Sequence, residues 1–407
     1  LFAMLPTHWL MAKPNVLFIM SDDHATQAIG AYGSRLASLN PTPTIDALAK
    51  NGMRFDRVFC NNSICTPSRA SILTGQYSQT NGVLVLSQPL PPERQYLPQQ
   101  MKQAGYQTAM VGKWHLKAEP AAFDYYCVLP GQGKYTNPTF NVRGENDWPN
   151  NTIKMNGKHS SDAITDISLD WLAKDWDRDK PFFLMHHFKA PHDMYQSAPR
   201  YNSYLDDVEI PEPSNLYGQP GEHFGSAGSR DYGDGLQKGS MWGLGRKLGV
   251  DRDMPELEGD AYIRESYQRY MKRYLRCVKG VDDNIARLVE HLREIGELDN
   301  TLIIYTSDQG FFLGEHNFSD KRWMYDESMR MPFVVRYPKL IKPGSENGWL
   351  INNTDFAPTI LDLAGSELPE QMQGYSFVRA LRGEAKPEDW REVTYYRYWM
   401  HMAHKWR

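Results

Sequence analysis

The stretch that decides the fold is NVLFIMSDD at residues 15–23, an apolar run that leads directly into polar residues. A short continuous apolar run is typical of a strand that is buried on both faces of a parallel sheet. A second run of this kind, TLIIYTSDQG at 301–310, ends in the same way. Because ligands bind outside the carboxyl ends of strands in open α/β sheets, we expect these two acidic strand ends to meet there.

More strands and helices are predicted around these two runs. QTAMVG at 107–112 and FFLMHHF at 182–188 indicate further strands, and 43–50 indicates a short helix with Thr42 as its N-cap. The alternation of strands and helices predicts an α/β fold, with a large, mostly parallel sheet flanked by helices.

The second half of the chain contains segments of different character. Apolar residues recur at helical spacing through 260–295, which predicts one amphipathic helix with a break near Gly280. Residues 201–259 are rich in Gly, Pro, Ser and Asp, so we expect a long surface excursion that shapes a cleft. We expect a catalytic domain over 1–375 and, over 376–407, the beginning of an incomplete, smaller C-terminal α+β subdomain.

Composition excludes several classes of protein. The 407 residues carry a net charge of -4, from 45 Lys and Arg against 49 Asp and Glu, which offers no basic surface for nucleic acid. No apolar run approaches the roughly 18 residues that span a membrane. The four cysteines show neither a disulfide framework nor a zinc-binding spacing, so each must be judged singly. Composition does not indicate an oligomeric state.

One cysteine lies in a distinctive motif, CTPSR at 65–69, followed by ASILTG. Given average composition, a Cys with Pro at +2 and Arg at +4 arises by chance at roughly one cysteine in 400. Pro67 predicts a helix that begins at Ser68, so Cys65 would lie at a helix N-terminus, where an anion is favoured and Arg69 can orient it. The alternative is a buried structural cysteine before an ordinary helix.

Six motifs together resemble the formylglycine-dependent sulfatases of the alkaline phosphatase superfamily, and among them the bacterial polysaccharide sulfatases. They follow one another in the expected order across almost the whole chain. The motifs are SDD at 21–23, CTPSR with its LTG extension, GKWH at 112–115, APH at 190–192, SDQG with LGEH at 307–316, and DKR at 320–322. The resemblance implies an alkaline-phosphatase-like fold.

The resemblance also implies a modified nucleophile and a metal ion. A formylglycine-generating or anaerobic sulfatase-maturing enzyme would convert Cys65 to formylglycine (3-oxoalanine). One hydroxyl of the hydrated aldehyde attacks sulfur, and the other later collapses and expels sulfate. The implied ligands select a hard cation, Ca²⁺ by preference and Mg²⁺ as the alternative. They are Asp22, Asp23, Asp308, Gln309 and the residue derived from Cys65, and Gln309 departs from the Asn or His that is commoner in this motif.

The remaining site residues are implied in the same way. Arg69, Lys113 and His115 would hold the hydrate and the sulfate oxygens. His192 would protonate or bind the leaving oxygen, and Lys321 would contact the sulfate. His401 and His404, in the aromatic tail, would bind the sugar.

The sequence therefore predicts a hydrolase that releases inorganic sulfate from a sulfated carbohydrate, in the periplasm or outside the cell. The alternative on the same scaffold is a phosphonate monoester hydrolase or phosphodiesterase. A non-enzymatic carbohydrate-binding relative would require a broken site, whereas every expected position is filled.

Overall fold

The computed structural model describes residues 13–144, 146–217, 235–240 and 242–400. His401 and His404 lie outside the described residues. The strands are β1 (Asn15–Asp22), β2 (Met53–Phe55), β3 (Val58–Phe59), β4 (Gln107–Lys113), β5 (Tyr125–Leu129), β6 (Thr139–Val142), β7 (Thr152–Lys154), β8 (Phe182–Pro191), β9 (Thr301–Ser307), β10 (Phe312–Leu313), β11 (Ser319–Asp320), β12 (Phe333–Arg336), β13 (Ser345–Asn347) and β14 (Ile351–Asn352). The α-helices are α1 (Pro43–Lys50), α2 (Cys65–Thr74), α3 (Ser78–Asn81), α4 (Tyr96–Gln103), α5 (Ser160–Lys174), α6 (Leu244–Lys247), α7 (Val250–Asp253), α8 (Gly259–Glu294), α9 (Asp326–Met329), α10 (Phe356–Leu363) and α11 (Val378–Leu381).

A ten-stranded sheet forms the centre of the molecule, in the order β13-β2-β12-β9-β1-β8-β4-β5-β6-β7. The strands from β9 to β5 in this order run parallel to one another, and β12 pairs antiparallel with β9. Two short pairs, β10 with β11 and β14 with β3, lie outside this sheet. The prediction of a large, mostly parallel sheet is confirmed.

Helices cover both faces of the sheet because the side chains of a strand alternate between its faces. Leu17 and Ile19 of β1 join a core with α1, α5 and α8. Val16 and Phe18 point the other way and join a core with α2, α4 and α10. Every residue of β1 is buried, and full burial of one of its apolar side chains stabilises the fold by about 1.5–3 kcal/mol.

The long helix α8 is continuous over 36 residues, so the predicted break near Gly280 is wrong. A Cβ atom at Gly280 would lie 3.2 Å from Cε2 of Tyr201. The glycine therefore permits the Tyr201 ring to pack closely against the helix.

The N-terminus of α1 is also stabilised differently from the prediction. Thr42 makes no side-chain capping bond. Instead, the Asp282 carboxylate, from α8, accepts hydrogen bonds from the backbone N–H groups of Thr44 at 3.0 Å and Ile45 at 2.9 Å. A residue distant in sequence thus supplies the cap, which a local pattern cannot reveal.

The chain returns towards the centre of the molecule after α11. Between 382 and 400 it has no regular secondary structure, and the described part of 376–407 contains no strand. Arg391 forms a half-buried ion pair with the buried Asp355, with Nη2 and Oδ1 at 2.8 Å, and the Tyr396 hydroxyl lies 2.6 Å from Ser63 Oγ. Across the described ranges, no helix combines the length and the apolar character that crossing a membrane requires.

Candidate active site

The carboxyl ends of β1 and β9 form the floor of the site. Asp22 ends β1, and Asp23 and Asp308 follow the two strands. The backbone N–H of Asp308 donates to Ser21 O at 3.2 Å, and that of Asp23 donates to Asp308 Oδ1 at 3.2 Å. Carboxylate oxygens of Asp22, Asp23 and Asp308 lie within 4.8 Å of one another. The two acidic strand ends therefore meet, as the apolar runs predict.

Cys65 is the first residue of α2, so the helix begins three residues before the predicted start. Pro67 fits because the first-turn N–H groups of a helix have no partner within the helix. The Cys65 thiol is buried and its Sγ lies 3.3 Å from Asp22 Oδ1. Burial raises the pKa of the thiol despite the nearby Lys321 ammonium, so Cys65 stays protonated at neutral pH and is a weak nucleophile as it stands.

Each of the three carboxylates has a buried cation beside it. Buried charges require such partners because desolvation of an isolated charge costs several kcal/mol. Arg69 places Nη2 at 2.9 Å and Nε at 3.0 Å from Asp308 Oδ2. The pairs are Lys113 with Asp22, Arg69 with Asp308, and Lys321 with Asp23, whose two oxygens lie at 2.8 and 2.7 Å from Lys321 Nζ.

These neighbours set the protonation of the cluster. Burial raises the pKa of Asp23 to about 7, and the Asp308 charge adds to this effect while Lys321 opposes it. For Asp308, burial is outweighed by Arg69, Lys113 and Lys321, and the pKa is lowered. Burial lowers the pKa of Lys113. Further positive charge at this place would therefore favour the ionised form of Asp23.

The donor set fits a hard divalent cation. Gln309 donates from Nε2 to Asp23 Oδ1, while its Oε1 is buried and has no hydrogen-bond partner in the described part of the chain. A buried amide oxygen without a partner is costly, and a cation would satisfy it. Three carboxylates and one amide oxygen form an all-oxygen set of the kind that Ca²⁺ and Mg²⁺ prefer.

Two histidines stand at this cluster. His192 Nδ1 lies 2.9 Å from Asp193 O and 2.5 Å from Asp193 Oδ1, both acceptors, so Nδ1 carries the proton. Burial, with the charges of Lys113 and Lys321, lowers the pKa of His192 to about 3, so its Nε2 is unprotonated at neutral pH. This Nε2 lies 3.7 Å from Asp23 Oδ2.

His115 is the second of these histidines. Its ring is buried, and Nδ1 has no hydrogen-bond partner among residues with described positions. Burial lowers its pKa, with contributions from Lys113 and Arg69. Its carbonyl accepts a hydrogen bond of 2.9 Å from the Thr66 hydroxyl, beside Cys65.

A cavity of about 260 Å³ opens onto this cluster. Cys65, His192 and Lys321 line it together with Arg322 of the DKR motif and with residues that the sequence interpretation missed, namely Gln132, Trp242, Leu244 and Lys247. Gln132 accepts a hydrogen bond of 2.6 Å from Lys113 Nζ, and no sequence signal marks it. A buried lysine, Lys189, was also missed, although its position three residues before His192 was a usable signal; its ammonium lies 4.6 Å from the centre of the Tyr135 ring.

The structure thus brings together every predicted site residue within its described ranges. They are Asp22, Asp23, Cys65, Arg69, Lys113, His115, His192, Asp308, Gln309 and Lys321. Their individual roles stay predictions.

The chain is similar to proteins of known family. A family model described as Sulfatase matches residues 14–366. An N-acetylglucosamine-6-O-sulfatase from Bacteroides thetaiotaomicron is 40% identical, over 96% of this chain and 75% of that protein. The solved structure of BT4656 in complex with its substrate D-glucosamine-2-N,6-O-disulfate superposes with a TM-score of 0.84 at 39% identity, covering 96% of this chain and 84% of the other.

A different activity occurs among more distant structures. A phosphonate monoester hydrolase from Silicibacter pomeroyi has a TM-score of 0.69 at 26% identity, covering 93% of this chain and 78% of that one. The chain spans less than two thirds of the length of several other curated relatives.

Proposed function

Because the chain belongs to the sulfatase family, we propose that it hydrolyses the 6-O-sulfate ester of a glucosamine unit in a sulfated carbohydrate and releases inorganic sulfate. The observation that carries the proposal is the position of Cys65 Sγ, 3.3 Å from Asp22 Oδ1 inside a buried cluster of carboxylates and cations. The choice of sugar and position is supported by the 40% identity to an N-acetylglucosamine-6-O-sulfatase.

Two groups would complete the site. Formylglycine made from Cys65 by a maturing enzyme would supply a hydrated aldehyde with two hydroxyls, one to attack sulfur and the other to collapse afterwards and expel sulfate, an exit that a thiol lacks. A divalent cation, Ca²⁺ by preference, would be held by Asp22, Asp23, Asp308, Gln309 and residue 65, and it supplies Lewis-acid stabilisation of negative charge.

The protein's own cations act on the sulfate. Lys113 and Lys321 are buried, so their charges act in a medium of low dielectric and stabilise negative charge strongly. Arg69, which holds Asp308 through two nitrogens, orients that carboxylate and keeps the strand end in place.

His192 handles the leaving oxygen in this proposal. Its Nδ1 proton is fixed by Asp193, so only Nε2 is available to the substrate. In the substrate-free site the ring is neutral, since its pKa is about 3. The negative charge of a bound sulfate favours the protonated ring, which can then donate to the departing alkoxide. His115, whose carbonyl accepts a hydrogen bond from Thr66 next to Cys65, is proposed to bind the sulfate oxygens.

A panel of sulfated sugars and one phosphate ester tests the proposal. Sulfate release is measured from N-acetylglucosamine 6-sulfate, its 3-sulfate isomer and glucosamine N-sulfate, and hydrolysis of the methyl phosphodiester at O6 of N-acetylglucosamine is the matched control. We expect kcat/KM to be highest on the 6-sulfate. Preference for the phosphate ester would instead support the phosphonate hydrolase or phosphodiesterase alternative.

Location and domain division also belong to the proposal. We place the protein in the periplasm or outside the cell, where it would meet sulfated polysaccharides. We keep the boundary near residue 375, which lies in the irregular stretch between α10 and α11.

A further inference from the structure

The rim of the cavity carries an aromatic residue that the proposed chemistry does not use. Trp242 is 49% exposed, and it lines the same cavity as Cys65, His192 and Lys321. An exposed indole beside a sugar-binding cavity offers a flat apolar face, and a tryptophan face attracts cations.

Two cations flank this indole. The Lys247 ammonium lies 5.5 Å from the centre of the Trp242 ring, and the Arg322 guanidinium lies 5.9 Å from it. Arg322 already pairs with Asp320, with Nε and Oδ2 at 2.5 Å. Lys247 has no carboxylate partner within the described ranges, whereas Lys238 pairs with Glu258 at 2.7 Å. The charge of Lys247 is therefore not neutralised by a neighbouring described side chain.

The segment that carries Trp242 and Lys247 is held firmly. Helix α6 packs on α8, and Leu244 and Leu248 are buried. A Cβ atom at Gly245 would lie 2.5 Å from both Ser266 Oγ and the Tyr262 hydroxyl oxygen, so the absence of a side chain permits this close approach. A rigid support reduces the entropy that is lost when a ligand binds.

The volume of the cavity indicates which part of the substrate lies inside it and which part lies at its rim. A volume of about 260 Å³ lies just below the range of about 300–1,000 Å³ that is usual for small-molecule sites, and it suits one sugar unit with the sulfate to be removed. Trp242 and Lys247, at the rim, are left to contact a group beyond that sulfate.

We propose that Trp242 and Lys247 form a subsite for a second anionic group of the substrate, a sulfate or carboxylate on the same sugar or on its neighbour. This inference rests on the proposed function and makes carbohydrates with at least two anionic groups the preferred substrates within its substrate class. The indole packs against a sugar face, and the Lys247 ammonium pairs with the second anion.

Three substrates test the subsite. N-acetylglucosamine 6-sulfate has one anionic group, glucosamine 2-N,6-O-disulfate adds a sulfate on the same ring, and a uronyl disaccharide of N-acetylglucosamine 6-sulfate adds a carboxylate on the neighbour. The variants are Lys247→Ala and Trp242→Ala. Lys174→Ala removes an exposed lysine of α5 and is the matched control. Thermal unfolding of each variant establishes that it is folded.

The measured quantity is the preference ratio, kcat/KM on a dianionic substrate divided by kcat/KM on the monosulfated sugar. We expect Lys247→Ala to lower this ratio about tenfold, mainly through KM, because a charge-assisted contact is lost. The wild-type ratio should also fall as salt rises, while Lys174→Ala leaves it unchanged. The dianionic substrate with the larger preference ratio shows whether the subsite binds a sulfate on the same sugar ring or a carboxylate on the neighbouring sugar.

These measurements distinguish a failure of the proposed function from a failure of the subsite alone. A wild-type enzyme that releases no sulfate from any of these sugars refutes the proposed function and the subsite with it. A wild-type enzyme that is active, but whose ratio is near one or is unchanged in Lys247→Ala, refutes the subsite alone.

Discussion

Removal of the Tyr396 hydroxyl should reduce both stability and activity, although this residue is far in sequence from the catalytic motifs. The hydroxyl lies 2.6 Å from Ser63 Oγ and donates to Arg322 O at 2.7 Å. Ser63 precedes Cys65 by two residues, and Arg322 follows Lys321. Ser328 donates to Ser63 at 2.9 Å and accepts, through its carbonyl, from Gly310 N–H at 2.9 Å. One hydroxyl thus joins the loops that carry Cys65, Lys321 and Gln309.

The magnitude follows from the two hydrogen bonds that Tyr396→Phe removes. Each contributes about 1 kcal/mol, so the free energy of unfolding should fall by about 2 kcal/mol. For a chain of this length, that corresponds to a decrease in Tm of about 2 °C. Because small displacements of reacting groups are costly, kcat/KM should fall about tenfold to a hundredfold.

The assay combines thermal unfolding with sulfate release at saturating metal. Tyr395→Phe is the control, since Tyr395 is the exposed neighbour of Tyr396. The reasoning is refuted if Tyr396→Phe matches the control in both Tm and kcat/KM. A loss of Tm without any loss of activity would show that the hydroxyl network does not position the site.

Three other perturbations test separate parts of the account. Treatment with a chelator should lower kcat by about a hundredfold or more, because the cation no longer stabilises the negative charge. Added Ca²⁺ should restore kcat better than added Mg²⁺. Unchanged activity after chelation would contradict the all-oxygen metal site. His192→Ala should lower kcat about 10²–10⁴-fold on a sugar sulfate but much less on nitrophenyl sulfate, whose leaving group needs no proton; equal losses would remove His192 from proton donation. Asp282 has a pKa raised to about 6 by burial, so the folded state binds its proton more tightly than the unfolded state does, and the free energy of unfolding should fall as pH rises from about 4 to 6. Denaturant unfolding should show this slope in wild type and in Asp170→Asn. Asp282→Asn should make it less steep and leave the part that comes from the raised pKa of Asp23. A slope in Asp282→Asn equal to that of wild type would contradict the assignment.

The sequence allowed prediction of those features that follow from local pattern. The apolar runs before Asp22 and Asp308 identified two adjacent central strands, because strands buried on both faces leave continuous apolar sequence. The CTPSR motif identified Cys65 as the residue at a helix N-terminus. Both features depend on neighbours along the chain.

Features that depend on contacts between residues distant in sequence were either not predicted or predicted wrongly. The cap of α1 comes from Asp282, 237 residues after Ile45, and no local rule could assign it. Gly280 suggested a break, but its role is to admit the ring of Tyr201. Gln132 gave no signal because only the folded chain brings its amide to Lys113. Trp242 and Lys247 lie in a segment that the composition indicated only as a cleft-shaping excursion.

The central claim is that residue 65 drives hydrolysis of a carbohydrate sulfate ester in the cluster formed by β1, β9 and α2. Its most direct test is inorganic sulfate released from N-acetylglucosamine 6-sulfate by wild type and by Cys65→Ala under identical metal and pH. The account predicts sustained release by wild type and none above the uncatalysed rate by Cys65→Ala. Equal release by the two proteins, or release by neither, would contradict it.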